Sequence, residues 1–302
     1  MKVFMTGGTG FVGRTLTRGF TEGGAEVTLL TRRLEGKAPL PAGASYLEGD
    51  PTIQGPWQEK VPGHDVIINL AGASIFRRWT DPAKKEIRQS RIDGTRNLVE
   101  ALKARAGQET LLLSASAVGY YGFHGDEELD EESPSGEDFL ASVAREWESA
   151  AMEAERYGVR VAVLRFGIVL GRHGGALKQM LPLFKWGLGS PLGSGTQWFS
   201  WIHEQDLAEV FLALVERGDI RGPVNCTSPN PIRNRDFTKA LGRALNRPTF
   251  MPAVPAFVMR LVYGEFGSIL VKGQKVIPRK LIQSGFSFNF PEVGDALKNL
   301  LQ

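Results

Sequence analysis

The segment Thr6-Gly7-Gly8-Thr9-Gly10-Phe11-Val12-Gly13 constrains this chain more than any other, because it lies where a strand must hand over to a helix. Val3-Phe4-Met5 before it is an apolar run of the kind that forms a buried strand. Val12, Leu16 and Phe20 after it recur every four residues, the spacing of a helix laid along a sheet and stopped by Gly23-Gly24. Gly7, Gly10 and Gly13 give a G-x-x-G-x-x-G spacing. The first permits the tight turn, the second lets backbone approach a pyrophosphate, and the third lets helix and strand pack closely. The helix N-terminus adds oriented N–H donors, so the turn predicts a dinucleotide site.

Strand and helix signals then alternate. Glu26 to Leu30, Tyr46 to Glu48, Asp65 to Leu70, Thr110 to Ser114 and Val159 to Arg165 read as strands. Pro82 to Arg105 and Asp138 to Tyr157 read as helices between them. Continuously apolar strands separated by helices predict an α/β fold, a Rossmann-type doubly wound parallel sheet covered on both faces. The rhythm breaks near Gly171, and Leu181 to Trp201 is rich in Gly, Pro and Trp without a period. A helix near Asp206 to Glu216 and a strand at Pro223 to Cys226 return to the sheet, and Phe286 to Phe290 alternates as a period-two strand. The expected organisation is a nucleotide-binding Rossmann domain of residues 1–170 plus about 207–228. A smaller C-terminal, substrate-side domain takes about 171–206 plus 229–302.

The second strand ends Leu30-Thr31-Arg32-Arg33, with no acid at its tip. An acid there receives the ribose hydroxyls of NAD, whereas a guanidinium forks onto a 2′-phosphate. The expected cofactor is therefore NADP(H) rather than NAD(H), with Glu35 reaching back as the alternative. The single Cys226 rules out an internal disulfide, and four widely spaced histidines predict no metal site. A formal net charge of +3 with only short basic pairs argues against nucleic acid as a partner. No apolar leader or stretch of membrane-spanning length is present, so the expectation is a cytoplasmic protein with no membrane partner, compatible with a homo-oligomer.

Further segments carry a family resemblance: Asn69-Leu70-Ala71-Gly72 after the fourth strand, Asp50 after the third, Ser114-Ala115-Ser116-Ala117-Val118-Gly119-Tyr120-Tyr121-Gly122 after the fifth, and Gly193-Ser194-Gly195-Thr196-Gln197-Trp198 followed by Trp201-Ile202-His203. With the glycine turn they resemble the extended short-chain dehydrogenase/reductases, the sugar-nucleotide epimerase and dehydratase group. The closer resemblance is to an atypical epimerase-family branch, sometimes labelled cell-division-inhibitor-like, with a C-terminal domain of unknown function. Pro231 to Asn234 and Gly273 to Pro278 resemble that last domain. The resemblance implies a cofactor set of Gly7, Thr9, Gly10, Phe11, Val12, Gly13, Thr31, Arg32, Asp50, Leu70, Ala71, Gly72, Ser114 and Val169. It places Arg91 where the family has an asparagine, with Glu86 one turn earlier to orient it or touch cofactor; a surface Glu/Arg pair is the alternative.

The wider family works through a Tyr-x-x-x-Lys pair on the helix after the fifth strand. Here Phe139 to Glu148 contains neither residue, and Phe139, Val143 and Trp147 form an apolar stripe. Catalytic candidates are then Ser116, to hold a carbonyl or alcohol, and Tyr120 or Tyr121, to supply a proton. Gln197, Trp198, Trp201 and His203 are the substrate-side candidates, the tryptophans serving as a wall of the site or as core. Two functions follow: an NADP(H)-dependent oxidoreductase or epimerase on an unidentified small carbonyl or alcohol, or a non-catalytic NADP(H) sensor with a protein partner.

Overall fold

The computed structural model describes residues 1–105 and 107–302. Seven strands form one parallel sheet: β1 (Lys2–Thr6), β2 (Glu26–Thr31), β3 (Ala44–Glu48), β4 (Val66–Asn69), β5 (Leu111–Ala117), β6 (Arg160–Phe166) and β7 (Gly222–Cys226). Their spatial order is β7-β6-β5-β4-β1-β2-β3, so the chain winds outward in both directions from β1 and β4. That reversal is the doubly wound arrangement, and it leaves a crevice at the carboxyl ends of β1 and β4.

Alternation along each strand explains the two coverings. Val3 and Met5 of β1, with Leu29, Ile68 and Leu113, pack on helices α1 (Phe11–Glu22) and α5 (Glu204–Glu216) through Leu16, Phe20, Phe211 and Leu214. Phe4, Ile67, Leu112 and Val161 face the other way, onto α2 (Asp81–Leu102) and α3 (Phe139–Met152) through Leu98, Leu102 and Ala151. Both faces are buried, which is why these strands read as unbroken apolar runs. Thr80 caps α2 and Asp138 caps α3 through their side chains.

A third core gathers the remaining elements. Helices α4 (Gly175–Lys185) and α6 (Asn234–Ala244) and the C-terminal helix Val293–Leu301 enclose Leu170, Phe199, Trp201, Phe237 and Leu297. Helices α7 (Ala256–Tyr263) and α8 (Glu265–Ile269) lie outside it. Phe266 of α8 packs with Trp79 and Ile87.

Phe286 to Phe290 is not a strand. Its side chains do alternate in burial, but the amides of Asn289 and Phe290 donate to the Asp206 carboxylate at 2.8 and 3.0 Å rather than to a neighbouring strand. The helix expected to reach Arg105 leaves α geometry after Leu102, and the one expected to reach Tyr157 after Met152, each tightening into a 3₁₀ turn.

Candidate functional site

The turn after β1 is built by close backbone approach. Gly7 has φ +69°, and a Cβ there would lie 2.7 Å from the carbonyl carbon of Leu70 in the loop after β4. A Cβ on Gly13 would lie 2.5 Å from the Cα of Gly8. Any side chain at either position would push the turn open. Gly10 precedes α1 without a capping side chain, and the first turn of α1 holds no acid, so the positive end of the helix is uncompensated. The Phe11 ring fills the space beside Gly171 and Gly174, tying the turn to the segment that carries Val169.

At the tip of β2, Thr31 is buried and its hydroxyl donates to the Arg33 carbonyl. Arg32 and Arg33 are exposed and form no ion pair among the described residues. Asp50 accepts from the amide and hydroxyl of Thr52, which fixes the turn after β3. Behind β4, Asn69 joins Thr6, Thr95 and Ser114 in one buried network with bonds of 2.7 to 3.1 Å. Ser114 is thereby engaged below the loop of Leu70, Ala71 and Gly72.

Arg91 lies beneath that same loop. Its Nη1 donates to the carbonyls of Ala73 (3.1 Å) and Ile87 (2.9 Å), and the guanidinium rests 5.2 Å from the Trp147 ring. A Cβ on Gly72 would come within 3.0 Å of its Cζ. No carboxylate pairs with Arg91 among the described residues, and burial pulls its pKa down to about 10. Glu86, expected to orient Arg91, instead pairs with Arg77 at 2.8 Å.

The residues singled out for catalysis sit at the ends of β5 and β6, where four groups not singled out in the sequence, Glu148, Arg165, Asn225 and Glu131, join them. The Ser116 hydroxyl donates to Glu148 Oε1 at 2.6 Å. Glu148 holds Arg165 through two bonds of 2.9 and 2.8 Å, and Arg165 donates to the Tyr121 hydroxyl at 2.9 Å. Tyr121 donates to Asn225 at 2.7 Å, and Glu131 accepts the Asn225 amide. Ser116, Tyr121, Glu148, Arg165 and Asn225 are all buried, and burial raises the Tyr121 pKa above its ordinary value. Tyr121 and Ser116 are thus committed to an internal lattice. Tyr120 is half-buried, with the Arg165 guanidinium stacked 3.5 Å from its ring centre. Helix α3, the neighbour of this corner, reads FLASVAREWESAAM.

The substrate-side candidates divide. Gln197 and Trp198 line an open cleft of about 330 Å³ with Phe123, His124, Arg233 and Lys272. Gln197 Nε2 donates to the carbonyls of Leu192 and Leu270, and its buried Oε1 finds no donor among the described residues. Trp198 lies under the Arg233 guanidinium at 3.9 Å, and Arg233 pairs with Asp126. Trp201 does not line this cleft; it is fully buried in the third core, with its Nε1 donating to the Asn230 carbonyl. His203 is buried too. Its Nδ1 accepts the Gln205 amide at the start of α5, its ring packs tilted by 30° against Phe290, and burial pulls its pKa down to about 4. No group of three or more potential metal ligands is found among the described residues, and none of their helices is long and apolar enough to cross a membrane.

Comparison with known proteins agrees with this layout. Residues 3–226 match the model of the NAD dependent epimerase/dehydratase family, and residues 254–300 match Domain of unknown function (DUF1731). The chain is 41% identical to Epimerase family protein SDR39U1 homolog, chloroplastic, of Arabidopsis thaliana, over all of this chain and 87% of the relative. It is 39% identical to Epimerase family protein YfhF of Bacillus subtilis, over all of this chain and 98% of that protein. Among solved structures, human epimerase family protein SDR39U1 (isoform 2) with NADPH superposes with a TM-score of 0.87 at 37% identity, over all of this chain and 99% of the other.

Proposed function

The chain belongs to the NAD dependent epimerase/dehydratase family, and from that membership we propose that it binds NADP(H) in the crevice above β1 and β4 and acts as an oxidoreductase or epimerase on a small carbonyl or alcohol. The glycine cradle carries this reading: backbone packed too closely for a side chain at Gly7 or Gly13 forms the tight turn that presents a helix N-terminus without a counter-charge, the arrangement that suits a pyrophosphate. The similar human protein was solved with NADPH, and Arg32 and Arg33, free of carboxylates, suit a 2′-phosphate.

In this reading the turn, Phe11, Val12 and the Leu70-Ala71-Gly72 loop hold the nucleotide, and Arg91 lends positive charge from beneath. Residues 1–170 plus about 207–228 form the nucleotide side, and about 171–206 plus 229–302 the substrate side, with Gln197 and Trp198 meeting substrate. The bound nicotinamide would supply hydride chemistry, leaving the protein to position substrate and move a proton. Helix α3 offers neither the tyrosine nor the lysine of the family pair. With the Tyr121 and Ser116 hydroxyls already bonded inward, Tyr120 is the phenol left for proton transfer. General acid–base help is worth about 10²–10⁴-fold, so a weakened acid lowers turnover without abolishing it.

One observation favours the alternative of a non-catalytic NADP(H) sensor: the corner that would do chemistry is closed by its own hydrogen bonds. Titration with NADPH and NADH, followed by reduced-nicotinamide absorbance against a panel of carbonyl compounds, separates the readings. Tight NADPH binding with turnover that falls in Tyr120→Phe is the expected result. Tight binding with no oxidation across the panel would establish the sensor, and no binding of either nucleotide would remove both.

A further inference from the structure

The surface at the far side of α4 and α7 is unlike the rest of the molecule. Trp186 is 82% exposed, Phe250 79%, Phe257 72% and Leu261 75%, and Leu188 is also exposed. These side chains come from two stretches that run side by side. Gly187 lies against Pro248, and Leu192 pairs in parallel with Val254 through bonds from Gly193 to Val254 and from Val254 to Pro191. Helix α7 begins directly afterward, and Phe257 and Leu261, four apart, share its outer face. Singly exposed apolar residues need no explanation, but five large ones carried on two adjoining stretches point to an interaction surface.

Its charge says what the surface would meet. From 174 to 200 and from 237 to 264 the chain contains no Asp or Glu. Within those stretches Lys178, Lys185, Arg243, Arg247 and Arg260 are exposed and in no ion pair among the described residues. A second copy would meet this face through a twofold axis, setting cations against cations around the apolar centre. An anionic bilayer complements both features, taking aromatic and aliphatic side chains at the headgroup boundary and cations at the phosphates.

We propose that this face docks peripherally on an anionic lipid surface. The expectation of no membrane partner rested on the lack of a stretch of spanning length. Lying on a bilayer requires none. The proposal is independent of the nucleotide site.

Flotation of the full-length protein with phosphatidylcholine vesicles, and with vesicles rich in phosphatidylglycerol, tests it. Binding to the anionic vesicles alone, reversed by added salt, is expected. Phe257→Asp together with Trp186→Ser should abolish it. Lys185→Gln with Arg247→Gln should weaken it about 30-fold, because each of the two cations near such a surface contributes about 1 kcal/mol. All four side chains are exposed, so unchanged melting temperatures will show that the variants fold. Failure to float with anionic vesicles, or flotation indifferent to these substitutions, would overturn the proposal. So would light scattering that finds a dimer dissociated by Phe257→Asp, since the face would then join two copies of the chain.

Discussion

The tips of β1, β2 and β4 and the tips of β5 and β6 lie on one edge of one sheet, yet they handle polar groups in opposite ways. Around β1, β2 and β4, positive charge is left without carboxylates: the N-terminus of α1, Arg32, Arg33 and Arg91. Around β5 and β6, Arg165 is answered by Glu148, Ser116 by Glu148, and Tyr121 by Asn225 and Arg165. A buried charge without a partner, as at Arg91, bears a standing desolvation cost that an anionic ligand can relieve, while the solvated Arg32 and Arg33 stay free to meet one. A region that satisfies every group is rigid and has little left to offer a ligand. On the proposed reading, binding belongs to the first region and shape to the second, and substitutions should separate them.

The largest effect should come from Glu148→Ala. It strands the buried Arg165 guanidinium and is expected to destabilise the fold by about 3–5 kcal/mol, read as a lower denaturant midpoint. Pairing it with Arg165→Met should recover much of that loss, because the charge goes with its partner. NADPH affinity should be unchanged wherever the single variant remains folded. A loss of affinity as large as the loss of stability would mean that the two regions are one.

His203 gives the next effect, and it depends on pH. Its folded-state pKa of about 4 lies below the ordinary 6.5, so the unfolded chain binds the extra proton between those values. Stability is therefore full above about pH 6.5 and is lost as the pH falls toward 4, by up to about 3 kcal/mol. His203→Asn, which keeps a capping acceptor for the Gln205 amide, should flatten melting temperature against pH over this window. An unchanged slope would assign the acid sensitivity to another group.

These two predictions also mark what the sequence could not convey. The glycine turn and the parallel strands were legible because each is written in a few consecutive residues whose pattern has one physical meaning. Glu148 and Arg165 come from a helix and a strand, and their pairing is a tertiary fact. The available clue was an arginine, Arg165, at the end of an apolar run Val161 to Leu164, and a glutamate beside Trp147 on an apolar face, since buried charges need partners. Trp201 reads equally well as pocket wall or core until the Asn230 carbonyl is seen at its indole nitrogen. Phe286 to Phe290 alternates as a strand does, but Asp206 takes its amides.

Arg32→Ala acts only on the binding side. Losing a charge-assisted contact to a 2′-phosphate should weaken NADPH about 10–100-fold while NADH, which lacks that phosphate, is little affected. Calorimetric titration with both nucleotides reads the difference. Equal weakening of the two would place Arg32 at the pyrophosphate and reopen the choice of cofactor.

The smallest effect is the sharpest test of the contrast, because Arg91 is buried like Arg165 but unpaired like Arg32. Arg91→Met keeps the length of the side chain and its packing on Trp147 while removing the charge. If Arg91 is held ready for an anion, the variant should lose roughly tenfold in NADPH affinity and unfold no earlier than the parent, since a desolvated guanidinium with no carboxylate has been removed. If Arg91 merely braces the loop through the Ala73 carbonyl, stability should fall and affinity should follow only as far as the loop loosens. Measuring melting temperature with and without saturating NADPH distinguishes the two: the first outcome shrinks the shift that ligand produces, whereas the second lowers both temperatures together.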